Sequence, residues 1–187
     1  MFIQTEGTPN PATLKFLPGC DVMNATGQGG ANFTGAEMAT RSPLALRLFE
    51  LDGVNGVYLG GDFITITKTD AKEWETMKPL VLGVIMEHFT AGKPVIENSS
   101  ADDDDDDDAA DGSIEGQIKE LLDTRVRPAV AQDGGDIVFH SFEDGVVYLT
   151  MQGACSGCPS SSATLKHGIE NMLRHYIPEV TEVRASE

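Results

Sequence analysis

Cysteine is scarce: the chain's 187 residues hold three. So small and odd a number cannot build the disulfide framework of a small secreted domain, and it fits a reducing compartment, where a C-x-x-C pair does chemistry rather than stapling a fold. Positive charge is scarce too, 13 Lys and Arg against 30 Asp and Glu, for a formal net charge of -17. A surface that acidic excludes a nucleic-acid backbone as partner, because binding phosphates needs basic groups that release counterions, and it excludes an anionic membrane surface equally. Long apolar runs are missing: nothing reaches the roughly 18 residues of a membrane-spanning helix. The first residues carry neither a basic, apolar leader nor an Arg-rich amphipathic presequence. These absences predict a soluble intracellular protein, cytoplasmic (bacterial), or of the mitochondrial matrix if a presequence has been removed.

What is present suffices for a core. Hydrophobic residues make up 40% of the chain and mean hydropathy is -0.17, values of a globular protein and not of a wholly disordered acidic one. The acidic groups are unevenly spread. Residues 1–98 carry 7 basic and 11 acidic groups, net -4; residues 113–187 carry 6 and 11, net -5; the stretch 99–112 carries none and 8, net -8. That stretch contains seven consecutive aspartates, Asp102 to Asp108, and no apolar side chain larger than Ala. It cannot bury enough surface to offset the entropy of ordering, so it reads as a disordered acidic linker and solvated spacer. About sixteen residues of flexible chain span roughly 20–25 Å, and self-repulsion stretches them further.

The pattern on either side predicts two small α+β domains, each an antiparallel hairpin sheet packed by helices: 1–96, then the linker 97–112, then 113–187. In the first, strands are expected at Met1–Gln4 and Thr13–Leu17, and a helix capped by Ser42 with Pro43 in its first turn, its Leu44, Leu48 and Leu51 on one face before Gly53. Val54–Leu59 and Phe63–Lys68 form a hairpin around Gly60-Gly61-Asp62. A helix over Ala71–Ala91 repeats Trp74, Met77, Val81, Val84, Ile85 and His88, with Pro79 expected to kink or split it. In the second, Ile114 to Val130 is an amphipathic helix bent at Pro128 that stops at Asp133-Gly134-Gly135. A hairpin follows, Ile137–Phe142 and Val146–Met151 around Asp144-Gly145. A helix from about Ser160 to Tyr176, with Leu165, Ile169, Met172, Leu173 and Tyr176 on one face, and a strand Val180–Arg184 complete the domain.

Cys155 and Cys158 lie between the last hairpin and the last helix, in Gly153-Ala154-Cys155-Ser156-Gly157-Cys158-Pro159. Orphan amides and the dipole at a helix start favour thiolate over thiol, which makes both sulfurs better nucleophiles and better metal ligands. Gly153 and Gly157 leave room for backbone amides to reach thiolates or sulfides. The spacing alone leaves a redox dithiol, half of a zinc or iron-sulfur site, or unconnected cysteines open. Context weakens the redox reading, since thioredoxin-like motifs follow an early strand of a βαβ unit and this one follows a late antiparallel hairpin.

A metal site normally wants four protein ligands. Cys20 reads as an incidental thiol in the turn Leu17-Pro18-Gly19-Cys20, His88 as a core histidine, and His140 as a strand residue. His167 and His175 are too far along the last helix to reach its start. On the metal reading, two ligands per chain mean two chains, a homodimer holding a cluster with Cys155 and Cys158 from each. A site shared across an interface would be exposed, which suits handing a cluster on more than storing it.

At these residues the sequence resembles the Nfu/NifU-type iron-sulfur cluster scaffold and carrier family. The resemblance lies in Arg127-Pro128, Asp133-Gly134-Gly135-Asp136, the cysteine loop through Ser161, Thr164-Leu165-Lys166, Gly168-Ile169-Glu170 and Ile177-Pro178-Glu179-Val180. Earlier in the chain, Gln4-Thr5-Glu6, Thr8-Pro9-Asn10-Pro11, Leu14 to Gly19 and Asp62 to Lys68 are similar to that family's N-terminal domain. It implies that Cys155 and Cys158 ligate a 4Fe-4S cluster bridging two subunits, leaving room for a 2Fe-2S form. It also implies that the protein is not an enzyme: it receives the cluster from upstream assembly proteins and passes it to apo-proteins such as aconitase-like dehydratases and lipoyl synthases. The N-terminal domain would bind no cluster and would aid stability or partner recognition. A thiol-disulfide oxidoreductase and a zinc-bridged adaptor dimer are the rival readings.

Overall fold

The computed structural model describes residues 2–23, 30–97, 112–156 and 159–186. The chain divides into two compact units, Met1–Ser100 and Ala101–Glu187. The aspartate run and its flanks, 98–111, lie outside the described residues.

The first unit is a five-stranded antiparallel sheet in the order β1-β2-β5-β4-β3, from β1 (Gln4–Gly7), β2 (Thr13–Leu17), β3 (Ala31–Phe33), β4 (Val54–Leu59) and β5 (Ile64–Lys68). Alternation along the strands sends Leu14, Phe16, Val57, Leu59, Ile64 and Ile66 into one core. Helix α1 (Pro43–Phe49) adds Leu44, Ala45 and Leu48, and α2 (Trp74–Thr90) adds Val81 and Ile85. The Ser42 cap is formed: its Oγ accepts the Ala45 N–H at 3.1 Å. A short 3-10 helix, Met38–Arg41, precedes it.

Two expectations shift here, and one strand is unforeseen. The first strand runs Gln4–Gly7, later than expected, because the turn held by Thr8 and Asn10 sets the register, Gly7 opposite Leu14 and Gln4 opposite Leu17; Met1, in the expected span, lies outside the described residues. Strand β3 had no signal in its three residues. Helix α2 runs unbroken through Pro79, which forfeits a single ladder bond near the first turn.

In the second unit, α3 (Ile114–Leu121) is capped by Ser113, whose Oγ accepts the Gly116 N–H at 3.0 Å. A π-helical turn, Leu122–Val126, joins it to α4 (Arg127–Gln132). The helix is thus interrupted in the turn ahead of Pro128, where wider winding accommodates the carbonyl that the proline ring cannot receive. Strands β6 (Gly135–Glu143) and β7 (Val146–Gly153) form the expected hairpin around Asp144-Gly145. Helix α5 (Pro159–Tyr176) then crosses over to β8 (Glu182–Ala185), which pairs with β7 in parallel, Val147 opposite Val183. The hairpin is antiparallel as expected; the third strand is parallel because a helical crossover returns it to the same edge direction. Ile118, Leu122, Val130, Ile137, Val147, Leu149, Ile169, Leu173 and Val183 fill a second core. Tyr176, expected on the apolar face of α5, is 48% exposed and lies under the Arg125 guanidinium, 5.1 Å from the ring centre.

Candidate functional site

Helix α4 ends at Asp133, and Gly134 takes φ +79, a left-handed conformation that glycine adopts without cost. The chain reverses there into β6, so the Asp133–Gly135 turn meets the far end of β7. Gly135 stands opposite Gly153, and the Gly134 carbonyl accepts the Ala154 N–H at 3.1 Å. Cys155 follows in a turn closed by Ser156 N–H donating to the Gly153 carbonyl at 3.1 Å.

The Cys155 sulfur fills the space a side chain at Gly135 would need. A Cβ there would fall 3.1 Å from the Cys155 Cβ, closer still to Sγ, and 3.0 Å from the Gln152 carbonyl oxygen. Cys155 belongs to the second core and is 7% exposed in the single chain. The glycine turn packs over the sulfur, and the exposed neighbour is Ser156. Gly157 and Cys158 lie outside the described residues. Helix α5 begins at Pro159, immediately after them in the sequence.

The turn is braced by charge. Arg127, first residue of α4, donates from Nε to Asp136 Oδ1 at 2.8 Å and from Nη2 to Asp136 Oδ2 at 2.9 Å; Nη1 reaches Asp123 Oδ1 at 3.0 Å. Asp136 is buried, and its Oδ1 also accepts the Ile137 N–H at 2.8 Å. These bonds, those from Asp136 first, raise the Arg127 pKa above its ordinary value despite the cost of burial. Sequence reading took Asp133 to Asp136 as a helix stop and missed the ion pair. An acidic residue at the head of the apolar run Ile137-Val138-Phe139 is the signal that could have found it, since a carboxylate there must meet a cation.

The remaining candidates lie elsewhere. Cys20 is in the first unit, half-buried, with its thiol pKa pushed up by burial and by the Asp21 carboxylate, which disfavours the nucleophilic or ligating thiolate. His88, also in the first unit, is fully buried, with Nε2–H donating to the Pro94 carbonyl at 3.1 Å. His140 meets Thr150 Oγ1 at 2.6 Å across the hairpin, and His167 and His175 are exposed on α5. Among the described residues no three His, Cys, Asp or Glu side chains group to hold a metal ion, and no helix is long and apolar enough to cross a membrane.

The chain is thus a two-unit α+β protein whose second unit seats a thiol between a hairpin end and a helix start. Residues 3–92 match the family described as scaffold protein Nfu/NifU N terminal, and residues 118–184 match the NifU-like domain. The chain is 53% identical over 184 residues to a Drosophila sechellia protein named NFU1 iron-sulfur cluster scaffold homolog, mitochondrial, covering 98% of this chain and 64% of that protein. The protein of the same name from Drosophila virilis is also 53% identical over 184 residues, with 98% and 61% covered. The chain therefore spans a little under two thirds of the length of these relatives. The solution structure of a NifU-like protein from Saccharomyces cerevisiae aligns at 27% identity over 52% of this chain and 86% of that one, with a TM-score of 0.47. The chain belongs to the Nfu/NifU family.

Proposed function

We propose that this chain is an iron-sulfur cluster scaffold and carrier in which two copies hold one 4Fe-4S cluster on Cys155 and Cys158 of each. The observation that carries the proposal is the seat of Cys155 against Gly134-Gly135 at the hairpin end, taken together with the iron-sulfur scaffold named in its relatives. Thiolates are the usual protein ligands of such clusters, four per cluster, and each copy supplies two. The cluster is cargo: it arrives from upstream assembly proteins and leaves to apo-enzymes of the aconitase-like and lipoyl synthase-like kinds, so the protein turns over no small molecule. A 2Fe-2S form would use the same four thiolates. Its compartment, following the relatives' names, is the mitochondrion and not a bacterial cytoplasm. In this reading 1–96 serves stability or client recognition, 97–112 is a tether, and 113–187 carries the cluster.

Anaerobic reconstitution of the full chain with iron and sulfide tests it. The expected product is brown, dimeric by light scattering, and carries about four irons per dimer. Cys155→Ala and Cys158→Ala abolish the colour and Cys20→Ala keeps it. A colourless monomer that catalyses disulfide reduction, or a dimer that retains zinc and refuses iron, overturns the proposal.

A further inference from the structure

From the geometry of the glycine turn we infer that Arg127 and Asp136 are positioning residues for Cys155: their paired fork holds the Asp133–Gly135 turn in the one arrangement that seats the sulfur. Part of the test rests on the cluster reading above.

The fork joins the two ends of the turn. Arg127 stands at the start of α4 and Asp136 is the second residue of β6, so the two N–H···O bonds at 2.8 and 2.9 Å tie the helix to the strand on either side of Gly134. A bidentate guanidinium-carboxylate pair fixes orientation as well as distance, because the planar fork admits few alternative geometries. The Asp136 carboxylate has a further constraint in the Ile137 N–H, which leaves its side chain little freedom relative to its own backbone.

One residue earlier, that backbone is Gly135, whose open face receives the Cys155 sulfur; one before that is Gly134, whose carbonyl holds Ala154. The path from guanidinium to thiol is therefore two bonded links and one packing contact.

Burying a carboxylate to pair it recovers little over an apolar pair of the same volume, whereas a pair with fixed geometry selects one backbone arrangement among several. The second acidic partner, Asp123, sits on the more exposed side, its own side chain 59% accessible, on the helical turn before α4. It is the natural control.

The experiment uses the full chain with Arg127→Gln and the isosteric Asp136→Asn. In the apo-protein, at one pH, hydrogen exchange at the Ala154 amide and alkylation of Cys155 read by peptide mass should each rise about tenfold over wild type, while amides in the β7–β8 ladder stay protected. In reconstituted protein, loss of the cluster to a chelator should quicken about tenfold, the scale of effect that residues supporting metal ligands have elsewhere. Arg127→Lys keeps the charge and loses the fork, so it should behave as Arg127→Gln does; Asp123→Asn should match wild type.

Unchanged exchange and labelling in both fork variants overturns the inference. So does a rise spread evenly over the whole second unit, which is the mark of a merely structural pair, and so does full rescue by Arg127→Lys. If wild type takes up no iron, the cluster reading fails, and the exchange and labelling arms still decide the positioning role.

Discussion

At the scale of single residues, the site is governed by space. Cys155 is buried because Gly135 has no side chain, and the tolerance of that contact can be measured. In Gly135→Ala the new methyl meets the Cys155 sulfur on one side and the Gln152 carbonyl, 3.0 Å away, on the other. The sulfur is a side-chain end and could rotate; the carbonyl is part of the β6–β7 ladder and cannot move without breaking it. The substitution should therefore cost about 1–3 kcal/mol, the range of overpacking in a filled core, seen as an earlier denaturant midpoint for the second unit. An unchanged midpoint would mean that the turn yields freely. The cysteine pair and its glycines were legible as a motif, because C-x-x-C at a helix start has a chemical meaning independent of fold. Of the Arg127–Asp136 pair only the carboxylate's need for a cation was legible; which cation was not, because two residues nine apart, one on a helix and one on a strand, share no periodicity and only the fold brings them together.

Among elements, what the sequence pattern could mark was read correctly: both hairpins, the amphipathic face of α2, the Ser42 cap, and the face of α5 as far as Leu173, Tyr176 being exposed. What it could not mark were β1 and β3, too short and too polar or irregular to alternate, and the π-helical turn before Pro128, where the proline's effect spread one turn backward. His88 was read as a core histidine, and its setting gives α2 a pH dependence. Its Nε2–H holds the Pro94 carbonyl, Ser42 Oγ donates to the Val95 carbonyl at 2.6 Å, and Glu97 N–H donates to the Arg41 carbonyl at 2.8 Å. The segment after α2 is thus strapped to both helices. Among the described residues Nδ1 has no hydrogen-bond partner. Burial first, then the positive charges of Arg47 and Lys93, lowers the His88 pKa, while bonds to the Pro94 and Lys93 backbone push it back. Glu87, the acidic neighbour in sequence, is engaged by Arg47 at 2.8 Å. In the unfolded chain this histidine takes its proton near about pH 6.5, before the folded one does. The unfolded state then binds more protons, so stability of the first unit is full above about 6.5 and falls as the pH drops through it, until the folded form titrates too. Denaturant midpoints of the first unit between about pH 7.5 and 5.5 should decline in wild type and decline less in His88→Gln. Parallel slopes in the two proteins would assign the loss to other groups.

For the whole molecule, the total charge of -17 says less than its distribution: the stretch 99–112 carries -8, and the sequences of the two units share the rest nearly evenly. Each unit has its own apolar core, and the two cores have no residue in common. A chain so divided need not melt as one cooperative body, and a single unfolding free energy for it would be ill defined. Two deletions locate the boundary. Leu48 and Leu173 are each fully buried, one in each core. Leu48→Ala and Leu173→Ala should each remove about 2–5 kcal/mol, the transfer of the lost methyl groups plus the cavity left behind. In hydrogen exchange followed peptide by peptide, Leu48→Ala should deprotect β2, β4 and β5 and leave β6 and β7 at wild-type protection, and Leu173→Ala should do the reverse. Coincident deprotection of both units by either variant would show that the chain folds as one, and would remove the independence on which a separate cluster-carrying unit depends.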